Sequence, residues 1–383
     1  MSGSFELPLR EDLVGEVSYG APQLDVAARL NVNENPFAVP ADLARAMGDA
    51  VAEVAVTLNR YPDREAVALR EALCAYIGAE AHVDVSVDQV WAANGSNEVM
   101  HQLFLAFGGP GRLAMTFDPT YSMYPEYARD TFTEYVTYPR TDDFRIDVAE
   151  ARRVIAERKP SIVILTSPNN PTGTALALTD IAAIAEGAQQ AGAVVIVDEA
   201  YAEFRHEGVA SACVLLPDHP NLVVSRTMSK AFALAGARLG YAIAADPAVV
   251  AALMVVRLPY HLSAVTQAVA STALAHADVL QAQVSLVRRE RDALAEWLEA
   301  EGFDVAPSDA NFLLFGRFGD RAVVWQGLLD RGVLIRQTGP EGWLRVTVGT
   351  PEENGMFRAA LQQVMQEVDA GQTRSSSQRG EGR

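Results

Sequence analysis

The chain has 383 residues, 49% of them apolar and 21% charged, the balance of a globular protein with a sizeable buried core. Its 31 basic and 49 acidic side chains leave a formal net charge of −18, which argues against sequence-independent binding to nucleic acid or anionic membranes, because neutralising phosphates needs clustered cations. No run of about 18 uncharged apolar residues occurs. The start, Met1–Glu6, lacks the basic and apolar regions of an export signal, and Cys74 and Cys213 cannot make a disulfide framework; a reduced, cytoplasmic setting without a membrane span is expected.

In chain order, Trp91-Ala92-Ala93 leads through Asn94-Gly95-Ser96-Asn97-Glu98 into a helical pattern over Val99–Phe107. Strand-like runs follow at Arg112–Phe117, Ser161–Thr166, Ala193–Val197 and Asn221–Ser225, and the alanine-rich stretch Thr179–Gly192 is long enough for a crossover helix. Such alternation predicts βαβ units on a mostly parallel sheet covered by helices, with the carboxyl ends of the strands at the ligand-binding edge. From Ser263 to Glu301 the pattern is almost continuously helical. Beyond it Phe303–Val305, Asn311–Phe315, Val333–Arg336 and Trp343–Val348 read as strands around a helix near Val323–Asp330, a smaller α+β domain. Gly371–Arg383, rich in Ser, Gly, Gln and Arg, reads as a disordered tail.

Only two of the 31 basic residues are lysines, Lys159 and Lys230, so chemistry that needs a primary amine has two candidates. Lys159 precedes Pro160 at a helix end, where a solvated cation is expected. Lys230 follows the apolar run Leu222–Val224 with Thr227 and Ser229 just before it and Arg238 eight residues later. A desolvated lysine beside another cation has a lowered pKa and becomes a nucleophile toward an aldehyde; the hydroxyls and the guanidinium are donors for a phosphate. A second strand, Val194–Val197, delivers Asp198, Glu199 and Tyr201 to the same edge. Asp198 suits a protonated ring nitrogen better than a metal, since the six histidines show no ligand spacing.

A third strand ends in Ser167-Pro168-Asn169-Asn170-Pro171-Thr172-Gly173, a proline-stiffened turn able to aim an Asn side chain. The fourth site is the helix start at Gly95-Ser96-Asn97, whose unpaired N–H groups suit an anion. Taken singly, each has a plainer explanation as an ordinary cap, turn or ion pair. Together they specify a ligand with a phosphate, an aldehyde, a basic ring nitrogen and a hydroxyl: pyridoxal 5′-phosphate, whose electron-sink chemistry the protein would orient and tune.

With these residues in hand, the sequence from about Leu7 to Val368 resembles the fold-type I, class II aminotransferases, and among them the histidinol-phosphate aminotransferase family. The motifs are Asn33-Glu34-Asn35-Pro36, Arg60-Tyr61-Pro62-Asp63, Pro168–Gly173, Asp198-Glu199-Ala200-Tyr201, Ser229-Lys230 with Arg238, and Leu344–Gly349; Tyr19–Leu24, Ala92–Glu98 and Arg257–Ser263 resemble its actinobacterial branch. The resemblance implies a large cofactor-binding domain over 41–262 with a mostly parallel seven-stranded sheet, a small domain over 263–370, and an N-terminal segment 1–40 that contributes to the small domain and the site.

It further implies that Lys230 holds the cofactor and shuttles a proton, Asp198 keeps the ring nitrogen protonated, and Asn170 and Tyr201 bond its 3′ oxygen. Tyr121 would stack on the ring, and Thr227, Ser229, Arg238 and the backbone at Ser96 and Asn97 would bind the phosphate. Tyr61 would reach the neighbouring subunit's cofactor, implying a homodimer with shared sites. Tyr19, Asn97, Tyr121, Tyr260, Arg336 and Arg345 match positions on the substrate side, although Gln337 follows Arg336 where an aspartate is common in the family.

The implied reaction is transamination between L-histidinol phosphate and 2-oxoglutarate in histidine biosynthesis, giving imidazole acetol phosphate and L-glutamate. Its site takes phosphate and carboxylate anions in turn, a task suited to planar arginine forks. The rivals are an aromatic amino acid aminotransferase on the same scaffold, a decarboxylase acting on a phosphorylated amino acid, and a non-catalytic binding protein. Lys230→Ala is expected to abolish turnover in a folded protein, and borohydride reduction of the pyridoxal-phosphate-loaded wild type to place the label on the Lys230 peptide; a label on Lys159 would reverse the assignment.

Overall fold

The computed structural model describes residues 7–18 and 20–380, with 369–380 by backbone alone. Twelve strands occur among them: β1 (Ala28–Arg29), β2 (Val90–Ala93), β3 (Leu113–Asp118), β4 (Glu134–Pro139), β5 (Ile162–Thr166), β6 (Val194–Asp198), β7 (Leu222–Thr227), β8 (Gly240–Ala244), β9 (Asp304–Val305), β10 (Phe312–Gly316), β11 (Val333–Leu334) and β12 (Trp343–Thr347). Seven form one sheet in the order β2-β8-β7-β6-β5-β3-β4, parallel throughout except that β8 runs against both its neighbours. This is the mostly parallel seven-stranded α/β sheet expected from the sequence.

Its central strands are apolar on both faces because helices cover both. Val163, Leu165, Val195, Val197 and Val224 point into one core with helices Val67–Ala81, Val148–Arg158, Leu178–Ala191 and Ala264–Ala275. Ile162, Ile164, Ile196 and Val223 point into the other, against helices Gly95–Phe107 and Pro247–Val256. A third core gathers around the antiparallel sheet β12-β10-β9, flanked by the parallel pair β1-β11, which ties the N-terminal stretch into this region.

The long helix Ala277–Ala300 belongs to two cores. Leu280, Val284 and Val287 pack with the large sheet, and Leu294 and Leu298 with Leu313, Phe315 and Phe357 of the small one. The packing therefore divides inside this helix, after the change of pattern read at Ser263. The last described helix runs over Pro351–Gly380, and the tail expectation for 371–383 falls on residues whose side chains lie outside the described ones.

Register aligns the strand ends. Thr166 pairs with Asp198, and Asp198 with Ser225. Thr227 pairs with Gly240, and Gly240 with Ala93. The segments that leave β2, β5, β6 and β7, and the one that enters β8, thus emerge side by side.

Beneath that edge lies a buried ion cluster. Arg226 in β7, fully buried, donates to Glu199 Oε2 at 2.9 and 3.0 Å and to Glu80 Oε2 at 2.6 Å, and Arg205 bridges the same two carboxylates at 2.9 and 3.5 Å. Ser211 and the Ala212 N–H complete the shell of Glu199. The arginines hold Glu199 below its ordinary range against the opposing effect of burial. Removing Arg226 leaves two carboxylates to share Arg205, which reaches Glu199 only at 3.5 Å, so Arg226→Met is expected to cost about 3 kcal/mol in urea unfolding. Arg153→Met, which breaks only exposed pairs with Glu150 and Glu157, is expected to leave the midpoint nearly unchanged.

Candidate active site

The aligned strand ends enclose a cavity of about 290 Å³. Ser96, Asn97, Tyr121, Asn170, Asp198, Tyr201, Thr227, Ser229, Lys230, Arg238, Arg336 and Arg345 all line it. Residues as far apart as 96 and 345 in sequence meet there.

One end is a cup of donors. The helix Gly95–Phe107 begins at Gly95, so the N–H groups of its first turn have no partner within the helix. A Cβ on Gly240 would collide with the backbone of Gly95 and Ser96, and one on Gly95 (φ +82°) with the Arg238 guanidinium. Glycine at both positions therefore lets helix start, strand and arginine close up. The Ser229 N–H donates to Thr227 Oγ1 at 3.1 Å, the Thr227 hydroxyl to Ser229 Oγ at 3.0 Å, and Arg238 Nη1 to Ser229 Oγ at 3.3 Å. Converging N–H, O–H and guanidinium donors at a helix start make a phosphate site.

Asp198 sits at the end of β6, 5% exposed. The Tyr124 hydroxyl donates to its Oδ2 at 2.8 Å and the Ala200 N–H to its Oδ1 at 3.3 Å. Burial pushes its carboxyl up to about 6 despite these two donors. Thr166 lies 2.8 Å from the Tyr124 oxygen and 3.1 Å from Thr120, extending the chain of hydroxyls along the cavity wall. Tyr121 meets the Tyr124 ring edge-on at 5.6 Å.

Lys230 Nζ donates to the Val32 carbonyl at 3.0 Å. Burial, with help from the Arg345 and Arg238 charges and against Glu34, pushes its ammonium down to about 8. Tyr201, on the turn after β6, accepts from Asn33 Nδ2 at 2.9 Å and from Asn170 Nδ2 at 3.5 Å and meets Phe312 edge-on. Arg336 and Arg345 exchange two backbone hydrogen bonds of 3.0 Å, which brings both guanidinium groups to the same wall. Arg345 donates to Asn170 Oδ1 at 2.6 Å and to the Asn31 carbonyl at 2.8 Å, and lies over the Phe312 ring.

Tyr260, expected on the substrate side, is not brought to this cavity, and neither is Tyr61, expected at a neighbouring subunit's site. Tyr61 and Tyr260 stack on each other at 4.4 Å between ring centres, 79% and 40% exposed, outside the cavity lining. The Tyr260 side chain is thus drawn onto Tyr61 rather than into this chain's own pocket. Tyr19 lies outside the described residues. Conversely, Tyr124 escaped notice in the sequence, and no contact was read for Asn33, noted only as part of a motif, or for the Arg226–Glu199 pair. Tyr124 stands three residues after Tyr121, and Glu199 and Arg226 stand among the residues singled out, but their contacts are made only in the fold.

A donor cup, a buried carboxylate and a buried amine lining one cavity suit the phosphate, ring nitrogen and aldehyde of pyridoxal 5′-phosphate. Without ligand, the two buried charges oppose folding at neutral pH. The folded-state pKa of Asp198 is raised, so its favourable contribution is present in acid and lost as pH rises through 6; that of Lys230 is depressed, so its contribution is present in alkali and lost as pH falls through 8. Asp198→Asn is therefore expected to raise the melting temperature of ligand-free protein at pH 7 to 8, with the gain fading as pH falls from 6 toward 4. A gain that does not change with pH would disprove the burial cost.

Residues 27–361 match the family model described as aminotransferase class I and II. The histidinol-phosphate aminotransferase of Thermobifida fusca is 62% identical over 93% of this chain and 95% of its own length, and that of Streptomyces avermitilis 53% identical over 96% and 99%. Among solved structures, a histidinol-phosphate aminotransferase from Sinorhizobium meliloti in complex with pyridoxal-5′-phosphate superposes with a TM-score of 0.82 at 24% identity, covering 95% of this chain and 99% of that one. An aspartate aminotransferase from Thermus thermophilus superposes at 0.77 with 26% identity, covering 92% and 98%. The chain belongs to the class I and II aminotransferases, enzymes dependent on pyridoxal 5′-phosphate, within the histidinol-phosphate aminotransferase family.

Proposed function

We propose that this chain transfers the amino group of L-histidinol phosphate to 2-oxoglutarate, giving imidazole acetol phosphate and L-glutamate, in the cytoplasm as a step of histidine biosynthesis. The observation that carries the reading is the convergence on one cavity of a single lowered-pKa lysine, a buried carboxylate, a donor cup and two arginines. The close relatives bearing that enzyme name support the choice of substrate. Bound pyridoxal 5′-phosphate supplies the electron sink.

The chain's own groups do the rest. Thr227, Ser229, Arg238 and the first N–H groups of the helix at Ser96 and Asn97 hold the phosphate and so fix the cofactor's position. Asp198, steadied by Tyr124 and Ala200, would hold the proton on the ring nitrogen, and a ring kept protonated accepts electron density more readily. Tyr201 and Asn170 serve the 3′ oxygen, and Tyr121 covers the ring. Lys230, poised near 8, would take a proton from the substrate carbon and deliver it to the cofactor's C4′ carbon.

Arg336 and Arg345 receive the anions of the two substrates in turn, with Asn97 and Tyr121 beside them. Tyr61 and Tyr260 are proposed to serve the site of a second copy of the chain. Their stack shares an exposed apolar stretch with Val56, Leu58, Val255 and Leu258, the kind of surface a homodimer covers.

Purified enzyme supplied with histidinol phosphate and 2-oxoglutarate is expected to release glutamate. Its kcat/KM for histidinol phosphate is expected to exceed that for phenylalanine by about a hundredfold or more, because phenylalanine offers the arginines a singly charged carboxylate in place of a phosphate and lacks the imidazole's hydrogen-bonding nitrogens. Parity or the reverse order would assign an aromatic aminotransferase, and carbon dioxide release a decarboxylase.

A further inference from the structure

The motif Asn33-Glu34-Asn35-Pro36 marks the family but has no part in the chemistry above. Asn33 is nevertheless 1% exposed and sits at φ +56°, a left-handed conformation that asparagine tolerates better than most side chains. Its N–H donates to Thr347 Oγ1 at 3.0 Å, the Thr347 hydroxyl donates back to Asn33 Oδ1 at 2.9 Å, and Asn311 Nδ2 donates to its carbonyl at 3.1 Å. This fixes the sense of the amide. With Oδ1 occupied as acceptor by Thr347, the NH2 end faces Tyr201 and donates to the phenolic oxygen at 2.9 Å.

The neighbouring residues point the same way. The Val32 carbonyl accepts from Lys230 Nζ at 3.0 Å and the Asn31 carbonyl from Arg345 at 2.8 Å, so three successive residues touch the lysine, a substrate-side arginine and the tyrosine.

We propose that Asn33 is a positioning residue that acts through Tyr201. By donating to the phenolic oxygen it fixes the ring's place and polarises the Tyr201 hydroxyl, making it a stronger donor to the cofactor's 3′ oxygen. Negative charge on that oxygen is then better stabilised, and the cofactor held at Lys230 binds its proton less tightly. The inference rests on the proposed role of Tyr201.

The test is the pH midpoint of the visible absorption change of the pyridoxal-phosphate-loaded enzyme. Asn33→Gly removes the donor while keeping a residue at ease with positive φ. Asn33→Asp, the second variant should that one fold poorly, keeps the shape and the bond from Thr347. Each is expected to raise the midpoint by roughly half a unit to one unit, the equivalent of one lost hydrogen bond.

In a Tyr201→Phe background, Asn33→Gly is expected to add no further shift. A midpoint unmoved in both variants, even with a lowered melting temperature, or an undiminished shift in the Tyr201→Phe background, would overturn the proposal. Tyr201→Phe alone tells the two levels apart. If it moves the midpoint while the Asn33 variants do not, the Asn33 role fails by itself; if it moves nothing, the reading of Tyr201 fails and takes this inference with it.

Discussion

The site depends on how closely three backbone segments approach one another at the carboxyl edge of the large sheet. The pairings of Gly240 with Ala93 on one side and Thr227 on the other set β2, β8 and β7 in line. The helix start after β2, the loop after β7 and the arginine before β8 then share one small volume. Side chains cannot be accommodated where these backbones meet, which is why glycine occupies positions 95 and 240. A shift of a single residue in this register would turn Thr227 away and dismantle the donor cup.

A second constraint is electrostatic. An active carboxylate and an active amine are each useful only when withdrawn from water, and both then oppose folding. The chain meets this with tightly satisfied ions one step behind the working ones. Glu199 adjoins Asp198, and Arg226 precedes Lys230 by four residues on the next strand; the two are buried and bonded to each other, and Arg226 also bonds Glu80. The backbone that carries the reactive groups is thereby held by groups that take no part in the reaction.

Much of this was legible in the chain itself. Unbroken apolar runs announced the central strands, and the polar residues that end each run became the lining of the cavity. A near-absence of lysine singled out Lys230. What stayed hidden was whatever depends on pairing across the fold. Tyr124 looks like any helix-start aromatic until β6 places Asp198 opposite its hydroxyl, and nothing local connects Asn33 with Tyr201, 168 residues apart. The change of pattern at Ser263 was visible, but the real division of the packing falls later, because one continuous helix can give its first turns to one core and its last to another. Tyr260, read as a pocket residue from its motif, stacks instead on Tyr61, a choice that neither residue's neighbours reveal.

The scarcity of lysine has a practical side. Lys159 caps the helix Val148–Arg158 and is exposed beside Gly111, Arg112 and Ser161, where β3 and β5 begin. That is the end of the sheet remote from Lys230. Of the two side-chain amines, one is sheltered within the cavity and the other stands on the far face, so a succinimidyl ester or an aldehyde-bearing bead meets a single accessible ε-amine. Tethering through it would leave the cavity mouth turned toward the bulk solution, a built-in orientation for surface immobilisation.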